Sequence, residues 1–185
     1  MIENILQTIR THGVQKKPCI IAIDGPCGSG KTTLSEKLSK ELSCPVIHMD
    51  DFFLPPSMRT EKRLSTPGGN IDHERFLQEV LQPLCQTGRC AFRPYLCQTQ
   101  TMGELITIEK APVVIVEGSY AHHPALTAYY ALRIFVDVDK TVQLQRIQKR
   151  NPDKWERFQT TWIPLENAYF ERYDIRKKAD IQITL

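Results

Sequence analysis

No two cysteines in the chain are spaced as CxxC, and the five histidines add no zinc-ligand pattern to the six cysteines. Zinc is therefore not an organising element. A chain of this size also needs no covalent staples, so Cys19, Cys27, Cys44, Cys85, Cys90 and Cys97 read as reduced thiols. No apolar run approaches the ~18 residues that span a bilayer, and charged or polar positions interrupt the first thirty residues throughout. Secretion and membrane insertion are not signalled, which points to the cytoplasm. Charge of one sign is not blocked either: 24 basic against 21 acidic residues leave a net +3, scattered along the chain. That pattern argues against a dedicated nucleic-acid binder and assigns the basic groups to solvated faces and one anionic ligand. Internal repeats and low-complexity segments are lacking as well.

What is present is the composition of one folded unit. With 185 residues, 41% of them hydrophobic, the chain can bury one good core, so residues 1–185 are expected to form a single domain. Strand and helix signals alternate, as in a parallel sheet covered on both faces. Residues 19–24, 45–48, 111–117, 132–138 and 179–185 read as core strands, and "APVVIVE" is the strongest of these signals. Helices are expected over 31–42, over 73–85 with Asp72 as N-cap, over a segment carrying Val142, Leu144 and Ile147, and over 155–173. Residues 90–95 and 105–108 read as a hairpin. The stretch 54–70, with Pro55, Pro56, Pro67 and the pair Gly68-Gly69, reads as a long loop.

Gly25-Pro26-Cys27-Gly28-Ser29-Gly30-Lys31-Thr32 fits GxxxxGK[ST] in full, between an expected strand and an expected helix. Glycines let consecutive backbone N–H groups face one anion, and the helix that starts there adds its positive end at the same point. Residues 25–33, Thr33 included, are thus expected to cradle a nucleoside triphosphate. Lys31 would neutralise the β and γ phosphates, and Thr32 would coordinate magnesium. Cys27 reads as a tolerated loop residue whose modification would block phosphate binding. A guanine-reading NKxD is missing, and the later apolar strand ends in Glu117-Gly118 where a switch protein shows DxxG, which argues against a GTPase.

"VIHMDDFFLPP" places Asp50 and Asp51 at the end of a buried strand, where an open parallel sheet holds its ligands. With this stretch, the phosphate loop, "GGNIDHERF", "RPY", "VVIVEGSY", "LRIFVDVD" and "QRIQKR" in the same order, residues 18–184 resemble the uridine kinase family of P-loop kinases. That group is related to phosphoribulokinase, bacterial pantothenate kinase and nicotinamide riboside kinase.

The resemblance implies an α/β P-loop kinase fold: a five-stranded parallel core sheet flanked by helices, a β-hairpin over the acceptor and a mobile basic lid. It implies ATP and Mg²⁺ as cofactors and a small hydroxylated acceptor as partner. Asp50 matches the carboxylate beside the acceptor hydroxyl, able to take its proton and to touch the metal shell. Asp51 falls where the family often has serine, and a structural role is favoured for it. Asp72 matches the carboxylate that binds the ribose hydroxyls, with helix capping as the rival role. Tyr95 and Phe53 match aromatic residues that line the base pocket, though a core role for Phe53 stays open. Glu117 matches the carboxylate that holds magnesium. Arg146 and Arg150, four apart on one helix face, match the lid arginines that clamp the triphosphate, with Arg157 as a competitor.

Pyrimidine-specific members carry a histidine five residues after the tyrosine, whereas Gln100 stands there in this chain. Glutamine can still bond a base edge, so Gln100 is kept among the acceptor residues. Arg59, Lys62 and Arg63 read either as a solvated surface or as groups that reach an acid on another acceptor. His122 and His123 read as exposed or capping. The first-choice acceptor is the 5′-hydroxyl of uridine or cytidine. Pantothenate, nicotinamide riboside or a sugar phosphate is the alternative, and a regulatory nucleotide-binding protein without transfer is the reading from another class. Partners are expected to be small molecules, with no nucleic acid and no membrane, and a homo-oligomer is left open.

Overall fold

The computed structural model describes residues 2–12 and 18–185. Among these, the strands in chain order are β1 (Cys19–Asp24), β2 (Val46–His48), four short ones, β3 (Cys90–Phe92), β4 (Tyr95–Leu96), β5 (Thr101–Met102) and β6 (Ile106–Ile108), then β7 (Val113–Glu117), β8 (Leu132–Asp137) and β9 (Ile181–Thr184). Five of them, β2-β7-β1-β8-β9 in spatial order, form a sheet in which every pairing is parallel. This is the expected five-stranded core.

Side chains alternate across that sheet as the pleat requires. Ile20 and Ala22 of β1 and Val114 and Val116 of β7 enter one core, with Phe52, Phe76, Val80, Leu81 and Leu84. Ile21 and Ile23 with Ile115 enter the opposite core, against Leu34 and Leu38 of the helix Lys31–Leu42. The near-continuous apolar reading of β1 and β7 follows from burial on both faces. Each such side chain contributes roughly 1.5–3 kcal/mol on full burial. A helix over Ile2–His12, which the sequence reading did not assign, adds Ile5, Leu6 and Ile9 to the second core.

Two expectations are corrected. Residues 54–70 are not plain loop: they hold a 3₁₀ turn, Pro56–Met58, and a short helix, Glu61–Ser65, whose N-cap Thr60 accepts from Arg63 N–H. The hairpin strand over 90–95 breaks at Arg93-Pro94 into β3, which pairs with β6, and β4, which pairs with β5. In the helix Lys140–Arg150 the fully buried positions are Gln143 and Ile147, while Val142 and Leu144 are only partly covered. The helical runs 73–87 and 155–173 each widen to π geometry for one turn, over Leu77–Leu81 and Phe158–Trp162. Among the described residues no helix is long and apolar enough to cross a membrane.

Candidate active site

The phosphate loop is fixed by a close approach of backbones. Gly25 has φ 147°, and a Cβ there would lie 2.1 Å from the carbonyl oxygen of Val136, so only glycine fits. Asp24, fully buried, braces the loop from beneath: it accepts from the N–H groups of Gly25, Tyr120 and His122 and from the Tyr169 hydroxyl at 2.7, 3.2, 2.8 and 2.8 Å. Gly28 and Gly30 turn the chain through φ 77° and 101° into the helix that opens at Lys31. Lys31 is buried, and its Nζ donates to the carbonyls of Gly25 and Pro26 at 2.7 and 2.9 Å. The Ser29 hydroxyl is buried with no partner among the described residues, which fits a loop shaped for ligand oxygens. Thr33 is exposed on the first helical turn.

Carboxyl ends of β1, β2 and β7 meet beside this loop. His48 and Ile23 are both register partners of Glu117, so His48 and Glu117 share a sheet face with the start of the helix Lys31–Leu42. Glu117 is buried; its Oε1 lies 2.6 Å from His48 Nδ1 and accepts from the Thr32 hydroxyl at 3.3 Å. That hydrogen bond pushes the half-exposed His48 above the usual imidazole range. A buried carboxylate beside a hydroxyl, with no Lys or Arg ion pair among the described residues, is a set of hard oxygen donors that suits Mg²⁺. No three His, Cys, Asp or Glu of the described residues gather as a metal cluster, and a cation also held by phosphate oxygens needs none.

Asp50 sits, exposed, on the 3₁₀ turn Met49–Phe52 that follows β2. Crowding by the surrounding protein raises its carboxyl pKa; Glu117 adds to the rise, and Lys31, His48 and Arg150 oppose it. The structure therefore brings Lys31, Thr32, Glu117 and Asp50 together at one strand edge.

Residues that the sequence reading did not single out complete the site. Glu166, buried on the helix Ile163–Tyr173, accepts from the Cys27 N–H at 2.9 Å and from the Ser119 hydroxyl at 2.6 Å. Ser119 Oγ in turn lies 3.4 Å from Lys31 Nζ. Burial raises the Glu166 carboxyl, with Lys31 opposing, and burial beside Glu166 raises the Cys27 thiol, which makes it a poor nucleophile. Gln143 Nε2 donates to the Cys27 carbonyl at 2.9 Å. Position beside Asp50 and Glu117 could have flagged His48 and Ser119. For Glu166, one carboxylate on a helix 139 residues from its partner, no local signal exists.

On the acceptor side, Asp72 is buried and acts as the expected N-cap, accepting from Arg75 N–H at 3.0 Å, with Arg75 Nε 3.6 Å away. Arg75 also donates to the carbonyls of Asp51 and Arg93 and lies 4.2 Å over the Phe52 ring, which locks the Asp50 turn to the hairpin. Phe53 is half-buried and bridges to Ile71. Tyr95 is buried, and its hydroxyl has no partner among the described residues. Gln100 is exposed in the turn between β4 and β5 with φ 58°.

Arg63 is a structural clasp: it forks onto Glu74 at 2.5 and 2.6 Å and donates to the carbonyls of Gly69 and Ile71. Glu74 is held down to about 2 by that contact. Arg59 donates from Nε to the Leu54 carbonyl, and Lys62 is exposed. His122 and His123 are buried, not exposed; His123 Nδ1 does accept from Ala125 N–H, and its ring stacks on His73 at 4.0 Å. Of the lid candidates, Arg146 reaches the carbonyls of Gly28 and Ser29 at 3.2 and 3.4 Å. Arg150 bonds to Asn151 and lies in the field of Asp50, whereas Arg157 is spent over the Trp162 ring.

Comparison with known proteins adds sequence and fold relatives. A family model described as an AAA domain matches residues 21–167. The uridine kinase of Ligilactobacillus salivarius (strain UCC118) is 30% identical over 187 residues, covering 90% of this chain and 85% of that protein. The uridine kinase of Staphylococcus haemolyticus (strain JCSC1435) is 31% identical over 185 residues, covering 89% and 86%. A solved structure of a possible uridine kinase from Bacillus stearothermophilus superposes with a TM-score of 0.73 at 20% identity, covering 98% of this chain and 96% of that one. The sequence matches carry the family, and the structural match carries the fold.

Proposed function

We propose that this chain, which belongs to the uridine kinase family of P-loop kinases, transfers the γ-phosphate of ATP to the 5′-hydroxyl of a pyrimidine nucleoside, uridine or cytidine, in the cytoplasm. Phosphotransfer is the chemistry of the family; the acceptor, the magnesium requirement and the residue roles are the proposal. One observation carries it: Asp50, on the turn that follows β2, lies in the field of Lys31 and of Glu117, which ends the neighbouring parallel strand β7 and accepts from the Thr32 hydroxyl. The phosphate loop and Lys31 hold the triphosphate, and Arg146 lies against the same loop. Thr32 and Glu117 would hold Mg²⁺, which supplies charge neutralisation on the β and γ phosphates.

Asp50 takes the proton of the acceptor hydroxyl as that oxygen bonds to the γ-phosphorus and the bond to the β–γ bridging oxygen breaks, leaving ADP. A raised carboxyl pKa suits a group that must accept a proton and return it. Asp72, besides capping its helix, would accept from the ribose hydroxyls, and the unpartnered Tyr95 hydroxyl with Phe53 would line the base side. Exposure of Gln100 is the observation that favours a second acceptor class, another small alcohol such as pantothenate, nicotinamide riboside or a sugar phosphate. The test is ADP release from ATP against that panel. Stimulation by uridine or cytidine above all others supports the proposal, and a different winner redraws Asp72, Tyr95 and Gln100.

A further inference from the structure

We propose that His48 is a positioning residue for the cation site: its Nδ1–H holds Oε1 of Glu117 so that the opposite oxygen, Oε2, is presented to the divalent cation. The inference rests on the magnesium-dependent reading above. Its basis is the parallel register that sets His48 directly beside Glu117, with Nδ1 2.6 Å from Oε1. A carboxylate only accepts hydrogen bonds, so this contact assigns the ring proton to Nδ1. Among the described residues Oε2 has no hydrogen-bond partner, while Oε1 also takes the Thr32 hydroxyl at the longer distance of 3.3 Å.

Competition between those two donors makes His48 matter. When the Thr32 hydroxyl turns its oxygen to a cation, its bond to Glu117 is given up, and the histidine is then the side-chain donor that keeps the carboxylate from rotating. Among the described residues no Lys or Arg pairs with Glu117 to do this; its ion pair is with His48. Groups that orient a metal-binding carboxylate from behind are worth about 10–100-fold in metal affinity or activity when removed. The ring is also half-exposed, so the residue is not needed to fill a core.

Nucleotide binding reads this without turnover. ADP affinity is measured by calorimetry across a Mg²⁺ titration for the wild-type chain, His48→Ala and His48→Asn, with thermal melting to confirm that each variant folds. Asn can place an amide N–H near the position of Nδ1. The expected result is that His48→Ala needs at least ~10-fold more Mg²⁺ for half-maximal tightening of ADP, with metal-free ADP affinity unchanged, and that His48→Asn recovers most of the loss. If wild type responds to Mg²⁺ and His48→Ala has the same half-point, or His48→Asn is as impaired as His48→Ala, the positioning role is wrong while the magnesium reading stands. If Mg²⁺ leaves wild-type binding unchanged, the magnesium reading fails first and the inference falls with it.

Discussion

Glu166 sets its Oε2 2.9 Å from the backbone N–H of Cys27 and its Oε1 2.6 Å from the Ser119 hydroxyl, so one carboxylate joins the helix Ile163–Tyr173 to both the phosphate loop and the loop after β7. Replacing it leaves the part-buried Cys27 N–H without its acceptor and costs the Ser119 hydroxyl the nearer of its two acceptors, the other being the Gly25 carbonyl at 3.2 Å. Glu166→Ala is expected to lose about 1–3 kcal/mol of stability, with Glu166→Gln losing less because its amide oxygen can still accept one of the two bonds. Urea unfolding of the three proteins checks this. A Glu166→Ala midpoint equal to wild type would show that the carboxylate does not brace the loop.

Gly25 tests the loop from its other end. Alanine there must accept φ 147° and a Cβ placed 2.1 Å from the Val136 carbonyl oxygen, so either β8 or the loop has to move. Strain of this kind costs of order 1–3 kcal/mol from the backbone alone, and the clash adds to it. The expected outcome is a protein with a lower melting temperature and ATP affinity reduced at least tenfold. Normal ATP affinity in a Gly25→Ala protein would contradict the close approach.

His123 gives the fold an acid-sensitive point. Burial, with His73 close by, pushes its imidazole from 6.5 down to about 4, while Glu74 pulls the other way and Arg63 adds to the lowering. The unfolded chain therefore takes up this proton at a higher pH than the folded one, so stability falls as pH drops from about 6.5 to about 4 and levels below that. His123→Asn, whose side-chain oxygen can still accept from Ala125 N–H, is expected to flatten the slope in that window. His73, also lowered, keeps part of it. Denaturation midpoints across pH for both proteins decide the point, and parallel slopes would remove His123 from the account.

The fold was legible where one residue's chemistry is local. GPCGSGKT needs its own backbone and helix, and β1 and β7 needed only their apolar runs, so both were readable without partners. Asp72 announced its cap by standing one residue before an amphipathic helix. The helix Ile2–His12 was missed because a short apolar stripe, Ile5, Leu6 and Ile9, has meaning only against the sheet face it covers. The break of the hairpin at Arg93-Pro94 follows from a proline that has no N–H to give a ladder, a signal present in the sequence itself. Burial of His122 depends on the Ala22 carbonyl 100 residues away, 3.1 Å from its Nε2, and Glu166 likewise gains its role only from tertiary contact. Arg63 shows the reverse case: its sequence setting allowed a surface or a ligand contact, and the Glu74 fork settles it as a clasp.

The measurement that bears most directly on the account is Mg²⁺-dependent ADP release from ATP with uridine or cytidine, in wild type and Asp50→Asn, alongside ATP affinity of both proteins. A general base contributes typically 10²–10⁴-fold, so the expected result is a loss of about that size in nucleoside-stimulated turnover with ATP affinity within a few-fold of wild type. Turnover in Asp50→Asn within a few-fold of wild type, or no stimulation of the wild-type chain by either nucleoside, would contradict it.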